Sequence, residues 1–384
     1  MRVIVACPLD LPRLGQLLGD ESDGLPPGLG GTGLAALVAA QAQAGHQVTL
    51  VTLCPSTRGP RRLRVGPVEV LVGPYRARHR ARDAFRQERR AVRELVDSVD
   101  ADLVHAHWTY EFGLGALASR HPVLVTVHDW APAVLRYKPD AYRAVRLFMQ
   151  ARCLVRAPWL TVVSPVMAER LRRVGLSSVI VPNGLPTEYF AEPRAGVPRP
   201  VRRLLCVTSG FTTLKNTAAL LEAFSQARSE MRELELRIVG PGHGPGEDAE
   251  VWARARGLAV GVVFAGARGV EGVRRELDRA DLFVAPSLEE SFGLVVAEAM
   301  ARGVPVVGGR DSGAVSWLLD RGQAGELVDV RQPEAIARGV VDLAGDPGRC
   351  ERLARAAWTR AVREFSLGPI VARYEEEYRR VVSG

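Results

Sequence analysis

Two carboxylates, Glu290 and Glu298, stand eight positions apart in Pro286-Ser-Leu-Glu-Glu-Ser-Phe-Gly-Leu-Val-Val-Ala-Glu-Ala-Met-Ala301, directly after the apolar run Leu282–Ala285. The run reads as a buried strand. Ser291 or Glu290 reads as the N-cap of a helix from about Phe292 to Ala301. Such a strand-to-helix turn leaves the backbone N–H groups of Ser291, Phe292, Gly293 and Leu294 unpaired. With the helix dipole behind them they make an anion site. At about 1.5 Å rise per helical residue the two glutamates lie on the order of 10 Å apart. That span fits a nucleoside diphosphate sugar, with ribose hydroxyls at one carboxylate, sugar hydroxyls at the other and phosphates between. The spacing alone also fits a capped helix carrying two solvated glutamates.

A cation is needed beside such a diphosphate. The chain has 51 basic residues, of which only Lys138 and Lys215 are lysines. Lys215 falls in Ser209-Gly-Phe-Thr-Thr-Leu-Lys-Asn216, after one apolar run and at the start of an Ala/Leu-rich helix. A compact ammonium kept in an arginine-dominated chain suits a phosphate; a solvated surface lysine is the plainer alternative. His128 closes the run Val123–His128 and precedes Asp129 and Trp130, a place from which an imidazole reaches a sugar hydroxyl. His105 and His107 close the preceding run on the same side. Three histidines without a cysteine or acid at helical spacing are a poor zinc set. Asp100-Ala-Asp102 precedes a strand and reads as turn chemistry, not as a divalent-cation pair. No metal is expected. Gly28-Leu-Gly30-Gly31-Thr-Gly33 has dinucleotide-fingerprint spacing, but it starts some 20 residues after the first strand. The second strand also ends in Thr52-Leu-Cys-Pro55, without a ribose-binding acid, so NAD is not expected. Gly30 and Gly31 read instead as backbone that approaches a β-phosphate or an acceptor at a helix N-terminus, or as a flexible loop.

These residues sit in an alternation of short apolar runs and helical stretches that predicts an α/β fold with parallel sheets. Strands are expected at Val3–Ala6, His46–Leu53, Leu103–His107, Val123–His128, Leu160–Val163 and Val179–Val181. A second series covers Arg203–Val207, Leu236–Val239, Val262–Phe264, Leu282–Ala285 and Pro305–Val307. Tyr75–Val99 reads as Arg-rich and helical. Five prolines in residues 182–200 mark a linker. Two doubly wound domains follow: residues 1–190 with a returning helix at 368–384, and residues 201–367, joined by 191–200. Ligands in open α/β sheets sit at the carboxyl ends of strands, so a cleft between the two edges is expected.

The 384 residues, 47% hydrophobic and 24% charged, exclude a disordered, collagen-like or coiled-coil protein. Five scattered cysteines without CxxC spacing fit reduced thiols. MRVIVACPLD reads as a strand and not a signal peptide, and no apolar run spans a membrane, so a cytoplasmic location is expected. Twelve arginines between Arg58 and Arg93 read as a solvated face, or as contact with an anionic acceptor or a membrane surface. Few aromatics interleave with them, which argues against nucleic acid.

The Glu-x7-Glu pair within PSLEESFGLVVAEAMARGVPVV resembles the signature of the retaining glycosyltransferases of family 4, which have the GT-B fold. GLGGTGLAALVAAQAQAGHQVTLVT, DLVHAHW, LVTVHDW, VVSPVMAERL, VIVPNG, LRIVGPGHGP and VVFAGAR are similar to further motifs of that family. The resemblance implies two Rossmann-like domains and sugar transfer from a nucleoside diphosphate sugar to an acceptor hydroxyl with retained configuration, without cofactor or metal. It places Glu298 on the ribose, Glu290 on the donor sugar, Phe292, Gly293 and Leu294 on sugar and diphosphate, and Ala267 and Arg268 near the base. His128 would meet a sugar hydroxyl, and Asp311-Ser-Gly-Ala314 would lie beside the nucleotide. Lys215 would bind the diphosphate, usually with an arginine five residues earlier; here that position is Gly210. Asn216 stands where glycine is commoner, and Asn183-Gly-Leu-Pro186 replaces the common Asn-Gly-Val-Asp. The acceptor would be a small molecule, a lipid-linked glycan or a sugar phosphate, with peripheral contact at the inner membrane face for a lipid acceptor. The same architecture also serves inverting transferases and nucleotide-sugar 2-epimerases. A basic lipid- or polyanion-binding protein without chemistry is the alternative from another class.

Overall fold

The computed structural model describes residues 1–20, 24–190 and 200–384. Most of the expected linker, residues 191–199, lies outside the described residues. The chain divides into two units, Met1–Pro186 with Ser366–Gly384, and Thr187–Phe365.

In the first unit the order is β1 (Arg2–Ala6), α1 (Leu11–Leu18), α2 (Thr32–Gln43), β2 (Gln47–Cys54), β3 (Arg61–Val65), β4 (Val68–Pro74) and α3 (Arg86–Asp97). Then come β5 (Leu103–His107), α4 (Glu111–Ala116), β6 (Val123–Val127), α5 (Ala131–Tyr137), α6 (Ala141–Arg156), β7 (Trp159–Val162), α7 (Pro165–Arg173) and β8 (Val179–Ile180). The eight strands line up as β3-β4-β2-β1-β5-β6-β7-β8, parallel except for the β3/β4 pair. All residues of β5 and β6 are buried, as befits strands covered on both faces.

The second unit runs β9 (Arg203–Val207), α8 (Thr217–Glu230), β10 (Glu235–Val239), α9 (Asp248–Arg254), β11 (Val262–Gly266), α10 (Val270–Arg279), β12 (Leu282–Ala285) and α11 (Leu294–Ala301). It continues with β13 (Val306–Gly309), α12 (Val315–Leu318), β14 (Glu326–Val328), α13 (Pro333–Gly345) and α14 (Pro347–Phe365). Its sheet is wholly parallel, in the order β11-β10-β9-β12-β13-β14. Numbered within the unit this is 3-2-1-4-5-6, and the order reverses between β9 and β12. The loops leaving those two neighbouring strands therefore diverge to opposite faces and open a crevice at the carboxyl edge. The last helix, α15 (Leu367–Ser383), rejoins the first unit, where Ile370, Val371, Tyr374, Tyr378 and Val381 enter the core.

Two sequence readings need correction. Tyr75–Val99 is not one helix: only Arg86–Asp97 is α-helical, after a 3-10 turn at Arg80–Asp83. The Arg76 guanidinium gathers Asp83 and Glu88, which wraps residues 76–83 into a loop. The hairpin β3/β4 also escaped notice, because β3 is the exposed sheet edge and reads Arg-Arg-Leu-Arg-Val. Arginine on an edge blocks further pairing and erases the apolar alternation that marks a strand.

Candidate active site

Lys215 and Glu290 leave the two strands that flank the crossover, β9 and β12. Their side chains meet, with Lys215 Nζ 2.7 Å from Glu290 Oε1, and each is about a quarter exposed. The backbone makes that meeting inevitable. The Leu288 N–H donates to the Leu214 carbonyl at 2.9 Å. Asn216 Nδ2 donates to the carbonyls of Pro286 (3.1 Å) and Val330 (2.7 Å), joining the loops after β9, β12 and β14. Asn216 is itself the N-cap of α8 at φ 54°, without a side-chain cap bond. Its left-handed backbone explains why glycine is common at such a place. What glycine lacks is the side chain that ties three loops together.

The turn before α11 differs from the sequence expectation in one respect. Neither Ser291 nor Glu290 is the cap; Gly293 is, at φ 91°. A Cβ there would lie 3.1 Å from Leu318 Cδ1, so both the backbone conformation and the packing favour glycine. The N–H groups of Phe292, Gly293 and Leu294 find no acceptor among the described residues. They form the open end of the helix. Phe292 is buried edge-on against Phe365 (5.7 Å) and beside Trp317 (6.2 Å), which fixes the turn. From the other side the Ala314 N–H donates to the Glu290 carbonyl at 2.8 Å, laying the 311–314 loop over Glu290.

Glu298 lies in the middle of α11. Burial pushes its carboxyl up to about 8, and a hydrogen bond from Tyr189 only partly offsets this. Lys215, Glu290, Phe292, Gly293 and Leu294 therefore gather at one turn, and Glu298 lies farther along α11 against Tyr189. Ser291 lies within the same turn. Gly210 sits apart, its N–H donating to the Pro241 carbonyl at 2.8 Å. Ala267 and Arg268 are exposed after β11, the sheet edge, two strands farther from β12 than β9 is. The sequence reading missed Asn216 as a structural tie and Tyr189 as the partner of Glu298. An asparagine at a glycine-like position was the available signal for the first; nothing signalled the second.

In the first unit the order of strands reverses between β1 and β5. Gly31 caps α2 at φ 81°, and a Cβ there would fall 2.2 Å from the Pro8 carbonyl oxygen. The Gly30-Gly31 turn is thus pressed onto the loop after β1. His128 follows β6 and stacks on Trp108 at 4.5 Å, with Nε2 2.8 Å from His107 Nδ1. Burial pushes its imidazole down to about 3, so it is neutral. Of the pair only one ring nitrogen donates, so His128 offers Nδ1 as donor or acceptor according to tautomer. His105 is engaged differently, by Tyr378 and Thr126 at 2.7 Å each. Asp102 is held by the Arg2 backbone and guanidinium and Asp100 by Arg120, at the amino end of β5.

Two family models match the chain: "Glycosyltransferase Family 4" over residues 30–189 and "Glycosyl transferases group 1" over residues 202–346. The chain is 27% identical over 300 residues to a phosphatidyl-myo-inositol mannosyltransferase of Mycobacterium leprae, covering 77% of each. It is 30% identical over 281 residues to a D-inositol 3-phosphate glycosyltransferase of Streptomyces avermitilis, covering 67% of this chain and 60% of that protein. Among solved structures it superposes on sucrose-phosphate synthase from Thermosynechococcus elongatus with a TM-score of 0.79 at 20% identity, all of both chains being covered. With trehalose 6-phosphate synthase from Burkholderia multivorans the TM-score is 0.70 at 14% identity, over 100% of this chain and 97% of the other. The two parallel-sheet units and these neighbours make the fold GT-B. With one model on each unit and a Glu-x7-Glu helix at the crossover of the second sheet, the chain belongs to glycosyltransferase family 4.

Proposed function

We propose that this glycosyltransferase takes its sugar from a nucleoside diphosphate sugar and passes it to an acceptor hydroxyl with retention of configuration, without a metal. The observation that carries this reading is the convergence of Lys215 Nζ, Glu290 and the open amide end of α11 at one sheet crossover. A cation and a helix N-terminus together suit a diphosphate. Lys215 and the Phe292–Leu294 amides hold the leaving diphosphate, and Glu290 holds donor-sugar hydroxyls. Glu298 takes the ribose diol. Ala267 and Arg268 are assigned to the base, Gly210 to the passage of the diphosphate backbone, and Ser291 to the sugar side of the turn. Gly30 and Gly31 are assigned to phosphate or acceptor, and neutral His128 to a sugar hydroxyl.

In the step itself the bond from the anomeric carbon to the diphosphate oxygen breaks. The acceptor oxygen bonds that carbon on the same face, and its proton passes to the departing phosphate oxygen. The chain's contribution is positioning and stabilisation of the charge that develops on the diphosphate. Among the described residues no helix is long and apolar enough to cross a membrane.

The test is a thermal-shift panel of UDP-, GDP-, ADP- and dTDP-sugars, followed by product analysis by NMR. One base should raise the melting temperature by mass action, and the product should keep the donor's anomeric configuration. Lys215→Ala should lower turnover by about a hundredfold, the usual scale for a removed charge-stabilising group, and Glu298→Ala should lower turnover at subsaturating donor through the lost ribose contact. Unchanged turnover in both would refute the assignment.

A further inference from the structure

A second amide does in the first unit what Asn216 does in the other. Gln150 lies on α6 and is 1% exposed. Its Oε1 accepts from the Ala131 N–H at 2.9 Å. Its Nε2 donates to the Asp129 carbonyl at 3.0 Å and to Thr109 Oγ1 at 3.1 Å. The partners fix which way the amide faces, since an N–H needs the oxygen and a carbonyl needs the NH2. Both polar atoms that this side chain carries into the interior are thereby bonded, as burial of an amide requires. Ala131 opens α5, whose N-cap Trp130 makes no side-chain cap bond, so Gln150 supplies the missing acceptor from another helix.

Two of the clamped points each lie one residue after a ring at the carboxyl edge of the sheet. Thr109 follows Trp108 in the loop after β5, and Asp129 follows His128 in the loop after β6. The two rings stack with 4.5 Å between their centres. Trp108 adopts φ 66°, a left-handed backbone that a bulky aromatic keeps only where its surroundings hold it. The Tyr110 hydroxyl donates to Asp129 Oδ2 at 2.9 Å, a further bond between the same two loops. His128 is thus fixed at Nε2 by His107, on its face by Trp108 and along its backbone by Gln150. Nδ1 is the ring atom left for a hydroxyl.

We infer that Gln150 is a positioning residue for sugar transfer: it sets the spacing of the loops after β5 and β6 and thereby the place of the His128 imidazole. The inference rests on the assignment of His128 to a sugar hydroxyl. A displaced ring loses that hydrogen bond, because such bonds weaken steeply with distance and angle. The Lys215–Glu290 contact belongs to the second unit and is untouched. The expected signature is a loss in kcat without a loss in nucleoside diphosphate binding.

The experiment is a double-variant cycle on the whole protein with Gln150→Met and His128→Ala. Methionine keeps the shape of the glutamine side chain and removes its three bonds. Gln150→Met should lower kcat about tenfold and leave the Kd of the nucleoside diphosphate within about twofold of wild type. In the His128→Ala background it should lower kcat no further, although the urea midpoint should fall equally in both backgrounds. A merely structural role predicts an equal kcat loss in both. Gln150→Glu retains the acceptor for Ala131 and loses both donor bonds; it should show the same kinetic pattern, and it carries the test if Gln150→Met does not fold. A further readout needs no substrate. The ring-proton resonance of His128, shifted by the Trp108 ring, should move in either Gln150 variant, and that of His243 in the second unit should not. Wild-type kcat in the Gln150 variants, an equal kcat loss in both backgrounds, or an unmoved His128 resonance overturns the inference. Wild-type turnover in His128→Ala refutes the sugar contact itself, and the inference falls with it.

Discussion

At the scale of single residues, Asn216 and Glu298 show how one side chain conditions the donor cradle. Asn216→Gly keeps the left-handed backbone that the cap of α8 needs and deletes only the bonds to Pro286 and Val330. Each lost bond is worth about 1 kcal/mol. Lys215 and Glu290 then lose their fixed spacing. The donor KM should rise by about tenfold with a smaller change in kcat, and the double variant with Lys215→Ala should show no added loss. With Glu298 on the ribose, as proposed above, nucleotide binding should depend on pH through its carboxyl. Its carboxyl, raised to about 8, is protonated at neutral pH in the free protein. A ribose diol donating two hydrogen bonds favours the carboxylate, so binding should release a proton below pH 8. Calorimetry at pH 7 in buffers of different ionisation enthalpy measures that release; it should vanish in Glu298→Gln. An equal release in wild type and variant would remove Glu298 from the ribose.

At the scale of elements, helix α15 is pinned to the first sheet by polar bonds inside an apolar core. The Tyr378 hydroxyl accepts from Gln41 Nε2 at 2.6 Å and meets His105 Nδ1 at 2.7 Å. Tyr378→Phe leaves two buried groups without this partner. It should cost about 1–3 kcal/mol, read as a drop in urea midpoint. Legibility from sequence divides along the same line. The strands Arg203–Val207, Leu282–Ala285 and Leu103–His107 were legible to the residue, because parallel strands covered on both faces read as short, mostly apolar runs even where an arginine or a histidine enters them. The arginine-rich edge strand β3 was not. Ser291 looks like a cap in the text, but the cap is a backbone angle at Gly293. Lys215 and Glu290 were each visible, their contact was not, since 75 residues separate them. Tyr189 lies outside every local pattern that marks α11, so its bond to Glu298 emerges only from the fold.

At the scale of the whole molecule, buried titratable groups set a stability optimum in pH. His105 and His128 are held down to about 3 by burial, and His107 is held well below its ordinary range. Unfolded histidines titrate near about 6.5, so between that value and the folded one the unfolded chain binds more protons. The histidines' contribution is therefore complete above about pH 6.5 and is lost as pH falls toward 3. Glu298 acts in the opposite sense. Its folded carboxyl, at about 8, retains a proton that the unfolded chain has released above about 4.3, so its contribution declines as pH rises through that window. Burial also raises the carboxyls of Glu111 and Asp129 and lowers the His243 imidazole, so on the acid side these four imidazoles oppose these three carboxyls, and above about 6.5 the carboxyls act without the imidazoles. Melting temperature should climb steeply from pH 4.5 to about 6.5 and then decline gently toward pH 8. Glu298→Gln should flatten the alkaline decline and leave the acid limb in place. Tyr378→Phe should lower the whole profile without moving its maximum. An acid limb absent from the wild-type profile would mean that these histidines are charged, and would put the His107–His128 bond out of place with them.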